Sequence, residues 1–505
     1  MTAPHIFFKW VPEWLRIPLL FVLYFVSLGF NGVYIGNTSE VFSGLGVYIE
    51  PYFAAYNAIY IGMGIGFMIH GRLGARFSVK EMLLMGFIVQ LLTNIICGIS
   101  PYPEVTMLSC LILGFGKAAA VKEFFAAWVL VWHGKGDRVV AYPFVFAFAL
   151  SGSFFISWWM TSLAYMYNWS YAYVYIIMGL LASLLLVVIF VEDQPLRRKI
   201  PLYQMDWTGI LLMTGFFMLI SYVSTYGQVE DWFNSSSICI ATSLIPVTGF
   251  AFLLREATVK RPVFDLSFFR VKQFIPGLLL LMIAGLYIPT SIQLLFSQKA
   301  LKFELLRSYE LNLYMIPGFI AGAVSAHMWY KYRRTHHVLI YAGMSAFILY
   351  NILLYQTVTS SNGTQDFWLP GIIRGFGMVL IFISLGLYTT EVFGKEVSIK
   401  ATGMMLIVRS FVSRSIAQGV LNYMLYAGSV KHLVRQANGI DITDRNRWQA
   451  GHHPQDYLSF IQQQAYLAAT KELTGIIVII GVSTMLVLAL IHIVAKKTPA
   501  AEQPA

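Results

Sequence analysis

Fourteen apolar runs, most of them about as long as a bilayer is thick, leave this chain few ways to fold. A helix needs about 20 apolar residues to cross the hydrocarbon core. Runs of that order occur at 17–37, 51–70, 82–100, 105–132, 140–163, 170–191, 207–226 and 238–254. Six more follow at 274–296, 311–330, 338–355, 368–387, 401–426 and 474–495. Within a bilayer every backbone polar group needs an internal partner, which only helices and closed barrels supply. The runs are too long and too little alternating for barrel strands. An all-α integral membrane protein with fourteen transmembrane helices is therefore predicted. Only 12% of the residues are charged, against about 25% in an average soluble domain. The first run lacks a small-residue cleavage site, so no cleavable signal peptide is expected.

The net charge of +11 could point to nucleic acid, but its distribution points to topology. One set of alternate loops carries Lys9 and Arg16; Arg72, Arg76 and Lys80; Lys135 and Arg138; and Arg197, Arg198 and Lys199. The same set continues through Arg255–Lys272, Lys331–Arg334, Lys395–Lys400 and Lys496–Lys497. By the positive-inside rule both termini are cytoplasmic, and nucleic-acid binding is excluded. Cys97, Cys110 and Cys239 all fall in apolar runs, which suggests small-residue packing rather than a disulfide framework or a metal site.

An internal repeat organises the spans. "LGFGK" at 113–117 returns as "RGFGM" at 374–378, and "HGRLGARFSVKEMLLMG" (70–86) has a faint partner in "HMWYKYRRTHHVLIYAG" (327–343). Both matches pair span n with span n+8, which implies six spans, two inserted spans and six more. The expected divisions are 1–200, an insert with a cytoplasmic linker at 201–271, and 272–505 with an outer loop at 428–473. Glycine pairs in such spans let helices approach closely.

Several stretches are similar to the fourteen-span drug:proton antiporter branch of the major facilitator superfamily. They are "MDWTGILLMTG" (205–215), "YGQVEDWFNSSSI" (226–238), "RPVFDLSFFRVKQF" (261–274), "IIRGFGM" (372–378) and "VRSFVSRSI" (408–416). The resemblance implies two six-helix bundles around a central cavity that work by alternating access. It also implies proton-coupled efflux of small molecules across the cell inner membrane, without a cofactor. Gly71, Leu73 and Arg76 match the superfamily's signature loop, which implies a cytoplasmic gate, although Ala75 stands where the aspartate would be. The 428–473 loop resembles that of members working with a periplasmic adaptor and an outer-membrane channel.

The chain also departs from that pattern. "SGSFFISWWMTSL" (151–163) lacks the proline and later glycines of the family's span five, and has Trp158 and Trp159 instead. "GFNGVYIGNTSE" (29–40) offers Asn31 where the family commonly carries an aspartate, with no acid until Glu40. Leu113 faces the repeat position of Arg374, so the family's span-four arginine is missing.

Ionisable groups within spans are rare and usually face a cavity or a partner. Five basic residues qualify, namely Lys117, Lys122, Arg374, Arg409 and Arg414, against a single acid, Glu123. At about 100° per residue, Lys117 and Lys122 point about 140° apart, and Lys117 and Glu123 about 120° apart. Their partners must come from other helices, water or substrate. Lys122 and Glu123 could alternatively snorkel to the inner interface. Glu123 is the leading proton-coupling candidate, with Glu40 and Glu391 as substitutes.

The basic residues, with Asn31, Trp158 and Trp159, are candidates for a substrate cavity whose positive excess suits an anionic group. Tyr56, Tyr60, Phe154 and Phe155 could stack on an apolar body. His432, His452 and His453 lack an acid or cysteine framework, so no metal is expected. An uptake or facilitative carrier of an anionic metabolite, and a non-transporting receptor or scaffold, stand as alternatives. An enzyme is not expected, because no paired catalytic constellation lies at one depth.

Overall fold

The computed structural model describes residues 6–34, 49–132, 138–193, 201–288, 291–333, 335–359, 362–438 and 454–497. Among these the chain is helical, apart from one isolated antiparallel bridge between Phe7 and Val191. The first eight runs become α1 (Glu13–Gly29), α2 (Glu50–Gly74), α3 (Val79–Ile99), α4 (Pro103–Trp132), α5 (Arg138–Met166), α6 (Trp169–Phe190), α7 (Trp207–Tyr226) and α8 (Ser236–Thr258). The ninth is broken into α9 (Phe274–Ala284) and α10 (Ser291–Lys299). Then come α11 (Met315–Tyr332), α12 (His337–Thr357) and α13 (Trp368–Thr390). The thirteenth run is α14 (Lys395–Ile407), a π turn at 408–412 and α15 (Ser413–Asn438), and the last is α16 (Pro454–Lys497). Thirteen spans among the described residues are long and apolar enough to cross a membrane. The 17-residue α1 is the fourteenth.

Two boundaries differ from expectation. The first run was expected over 17–37, whereas α1 ends at Gly29 because side chains capture the backbone beyond it, as described below. The outer loop expected at 428–473 is helical at both ends, and only 439–453 lies outside the described residues. One carboxylate braces these extensions: Glu472 on α16 lies 3.0 Å from Lys431 Nζ and 2.7 Å from His432 Nε2 on α15. The second extension, from Pro454, runs continuously into the fourteenth span.

The chain divides into two compact units. The first comprises Met1–Ile288, Val324–Arg334 and Leu385–Gly419; the second comprises Pro289–Ala323, Thr335–Ser384 and Val420–Ala505. In the first, α2 and α4 meet through Gly62 and Gly114, and α3 and α4 through Gly86 and Gly116. A Cβ at Gly114 would stand 2.3 Å from the Ile59 carbonyl oxygen. The second unit repeats both crossings. Gly318 and Gly375 bring α11 and α13 together, with a Cβ at Gly375 only 2.2 Å from the Met315 carbonyl, while Gly343 meets Gly377. The sequence repeat thus has a packing basis, in which small residues set the helix spacing.

That spacing yields a stability prediction. Gly114→Leu should overpack the crossing and cost roughly 1–3 kcal/mol or more, seen as a lowered melting temperature in detergent. Gly71→Ala, where a Cβ meets nothing within 4 Å, should leave it unchanged. Equal melting of the two variants would show that the α2–α4 crossing is not tightly packed.

The first unit has one deeply enclosed helix and one peripheral one. The α2 span is 78% buried, while the inserted α8 is 11% buried and turns mostly apolar side chains outward, as a lipid-facing helix should. The other inserted helix, α7, is tied inward. Asn57 on α2 donates from Nδ2 to Ser221 Oγ of α7 at 3.2 Å and to Ser415 Oγ of α15 at 3.3 Å. Ser224 and Ser415 are 2.7 Å apart.

Candidate functional site: buried charges in the first unit

Where α1 stops, the freed backbone groups need partners. Lys117 on α4 supplies one, donating from Nζ to the Leu28 carbonyl at 2.6 Å, and it also donates to Asn31 Oδ1. A cation at a helix C-terminus also complements the helix dipole. Tyr34 Oη donates to the Gly29 carbonyl at 3.2 Å and accepts the Asn31 N–H at 2.8 Å, while Tyr173 Oη donates to the Gly32 carbonyl at 2.7 Å. Gly32 fits here because a Cβ would come within 2.9 Å of both the Cys97 and Cys110 sulfurs. Those cysteines are buried and free, and act as small packing residues. Lys117, only 2% exposed, thus answers part of the question its position raises. It joins Asn31, another predicted cavity residue, in closing the end of α1.

Arg409 and Arg414 come together with side chains of α2 and α5. The Arg409 guanidinium lies 5.2 Å from the Phe146 ring centre and within electrostatic reach of Tyr24, Tyr60 and Tyr142. Arg414 lies 4.5 Å from the Tyr56 ring centre, and the Tyr56 and Tyr60 hydroxyls are 2.9 Å apart. Arg409, Arg414, Tyr56, Tyr60 and Phe146 are all half-buried. The π turn at 408–412 holds Arg409 itself, and single π turns concentrate at functional sites. Arginines stacked on aromatic faces place two positive charges among tyrosine hydroxyls here.

Glu123 faces a different helix. Its Oε1 lies 2.9 Å from His70 Nε2 on α2 and 3.4 Å from Lys122 Nζ. His70 is 1% exposed and Glu123 7%, whereas the Lys122 side chain keeps a quarter of its surface. The contact with His70 has ion-pair distance without in-line hydrogen-bond geometry. Snorkelling therefore fits Lys122 but not Glu123, which turns inward.

The predicted gate residues fall at the end of α2. Gly71 and Leu73 belong to its last turn, and Leu73 packs on an apolar cluster that includes Phe264, Phe268 and Phe274. Arg76 lies just past the helix. Arg72 is the residue that reaches across, donating to the Arg261 carbonyl at 2.9 Å and the Pro262 carbonyl at 3.3 Å. Lys400 of α14 donates to the same Pro262 carbonyl at 3.3 Å, so the linker after the inserted helices is held from two sides.

The remaining candidates lie elsewhere. Trp158 packs near Phe155 and Trp159 near Tyr175, both half-buried. Arg374 belongs to the second unit, where it is 1% exposed and lies 5.1 Å from the ring centre of Tyr350, whose hydroxyl bonds Gln293. Glu40 lies outside the described residues. The sequence reading missed His70, which sits beside a loop-like HGRLG stretch, and Arg72, which was counted only as topological charge. The His match between 70 and 327 was the available signal. Its repeat partner His327 is likewise engaged, 2.9 Å from the Val140 carbonyl.

Buried, partnered charges inside a bundle of membrane-crossing helices, built twice on one glycine plan, define a multi-pass membrane transporter. The chain belongs to the Major Facilitator Superfamily, whose family model matches residues 19–417. It is similar to the probable multidrug resistance protein EmrY of Escherichia coli K12, at 23% identity over 230 residues, 43% of each chain. It is also similar to the multidrug export protein EmrB of Haemophilus influenzae, at 24% over 284 residues, 54% of each. The chain thus spans about half the length of the curated relatives it matches. Among solved structures it is similar to a peptide transporter POT in complex with sulfate, with TM-score 0.57, 17% identity and coverage of 97% of this chain and 96% of that one. A nucleoside transporter, NupG, gives TM-score 0.52 and 13% identity, covering 93% and 98%. These structural likenesses establish the fold.

Proposed function

We propose that this transporter is a proton-coupled exporter of amphipathic small molecules in the cell inner membrane, with both termini cytoplasmic. One observation carries the reading: α2 contributes to two separate polar clusters of the first unit. It brings His70 to Glu123, and Tyr56 and Tyr60 to Arg409 and Arg414. Ten residues of helix separate Tyr60 from His70, about 15 Å along the axis. A proton site and a substrate site on one rigid element can bias each other, as coupling requires. The arginine–tyrosine cluster suits a substrate with an aromatic or apolar body and an anionic end, and alternating access exposes it to each side in turn. The helical extensions flanking 439–453 are the segment through which a periplasmic adaptor and an outer-membrane channel would engage.

Inside-out vesicles with an imposed acid interior test this, using matched anionic and cationic amphiphiles. Uptake of the anionic member, driven by the gradient, is the expected result. The second reading, a facilitative carrier of an anionic metabolite, is favoured by the missing span-one acid. It predicts equilibration that ignores the gradient.

A further inference from the structure

We infer that His70 and Glu123 form a single proton-carrying pair, in which the proton decides whether Glu123 is held by His70 or by Lys122. The inference rests on the proton-coupled reading and names its second residue.

The geometry supplies two competing partners for one oxygen. Glu123 Oε1 lies 2.9 Å from His70 Nε2 across the α2–α4 contact, and 3.4 Å from Lys122 Nζ on its own helix. His70 Nδ1 is buried without a hydrogen-bond partner among the described residues. Burial penalises isolated charge, so a pair holding one shared proton is neutral as a unit and suits an enclosed site. When the proton leaves, the pair carries one negative charge, and Lys122, with a side chain still a quarter exposed, is placed to offset it. The proton passes between Glu123, His70 and water, and no other bond is made or broken.

Several other charged groups around this end of α2 are committed elsewhere. Arg72, two residues on, holds the Arg261 and Pro262 carbonyls, and Lys400 of α14 holds Pro262. Glu81 of α3 accepts the Ser78 N–H at 2.7 Å in a capping box. Below α7, Asp206 pairs with Arg255 at 2.9 Å, and Glu256 of α8 accepts the Phe264 N–H at 3.1 Å. Among the described residues, Lys122 is the cation in contact with Glu123. A proton shared between Glu123 and His70 links α4 to α2 across their 2.9 Å contact, and α2 carries Tyr56 and Tyr60.

The test is an infrared pH titration of the full-length protein in lipid nanodiscs. In wild type, a carboxylic acid band and the imidazole bands should titrate together, and Glu123→Gln should remove the carboxylic band. In His70→Gln the carboxylic midpoint should move acidward by about one pH unit or more, a tenfold loss of proton affinity. His70→Asn serves if the glutamine variant does not insert. A carboxylic titration in both histidine variants identical to wild type would overturn the pair. The vesicle assay is separate: a titrating pair without gradient-driven uptake would sink the coupling reading and leave the pair standing. Gradient-driven uptake with an unchanged pH profile in the histidine variants would do the reverse.

Discussion

Glu123→Gln should abolish uptake driven by a pH gradient while leaving the protein inserted and able to exchange substrate. Glutamine keeps the shape of the side chain and its contact with His70, but it cannot take up a proton. Glu123 is the one acid read within the fourth span, and it is 7% exposed. A positioned proton-transfer group contributes roughly 100-fold or more, and driven uptake should fall by at least that factor. Exchange in the absence of a gradient, which we propose depends on the arginine–tyrosine cluster, should persist. Retention of driven uptake would move the proton site to Glu40 or Glu391.

Arg409→Ala should instead remove substrate binding. The guanidinium sits on the π turn over Phe146, within reach of Tyr24, Tyr60 and Tyr142. A hydrogen bond to a charged group is worth about 1.5–3 kcal/mol, which corresponds to a roughly 10- to 150-fold loss of affinity. Arg409→Lys should recover little, since a point charge does not reproduce the planar fork or the stacking. Direct binding of an anionic amphiphile, with its cationic match as control, reads the effect. Equal affinity in wild type and Arg409→Ala would place substrate recognition elsewhere.

The fold was legible because hydrocarbon thickness imposes helix length, and the glycine repeat reports helix spacing. The "LGFGK" and "RGFGM" segments place Gly114 and Gly375 at equivalent crossings. Breaks were harder to read. Apolar composition runs on past Gly29, and α1 stops there because Lys117, 89 residues away, takes the Leu28 carbonyl. No local signal records such a partner. The same holds for charge pairing. Helical angles separate Lys117 from Glu123, and the structure turns them to α1 and α2 respectively, but only the fold reveals that His70 waits opposite Glu123. Arg72 escaped because a basic residue in an inner loop has a sufficient topological reason to be there. Where the chain departs from the pattern its resemblance implies, Ala75 in place of an acid and Asn31 in span one, local rules gave no substitute. The fold supplies an Arg72–Lys400 hold on the linker and a Lys117–Asn31 contact.

In the proposed function, proton and substrate move in opposite directions through one protein. Purified transporter in liposomes loaded with a pH-sensitive dye tests it most directly, with an imposed gradient of an anionic amphiphile as the sole driving force. Proton movement against the substrate's direction is expected, lost in Glu123→Gln and absent from protein-free liposomes. Substrate equilibration in wild type with no change in internal pH would contradict it, and would make the protein a facilitative carrier.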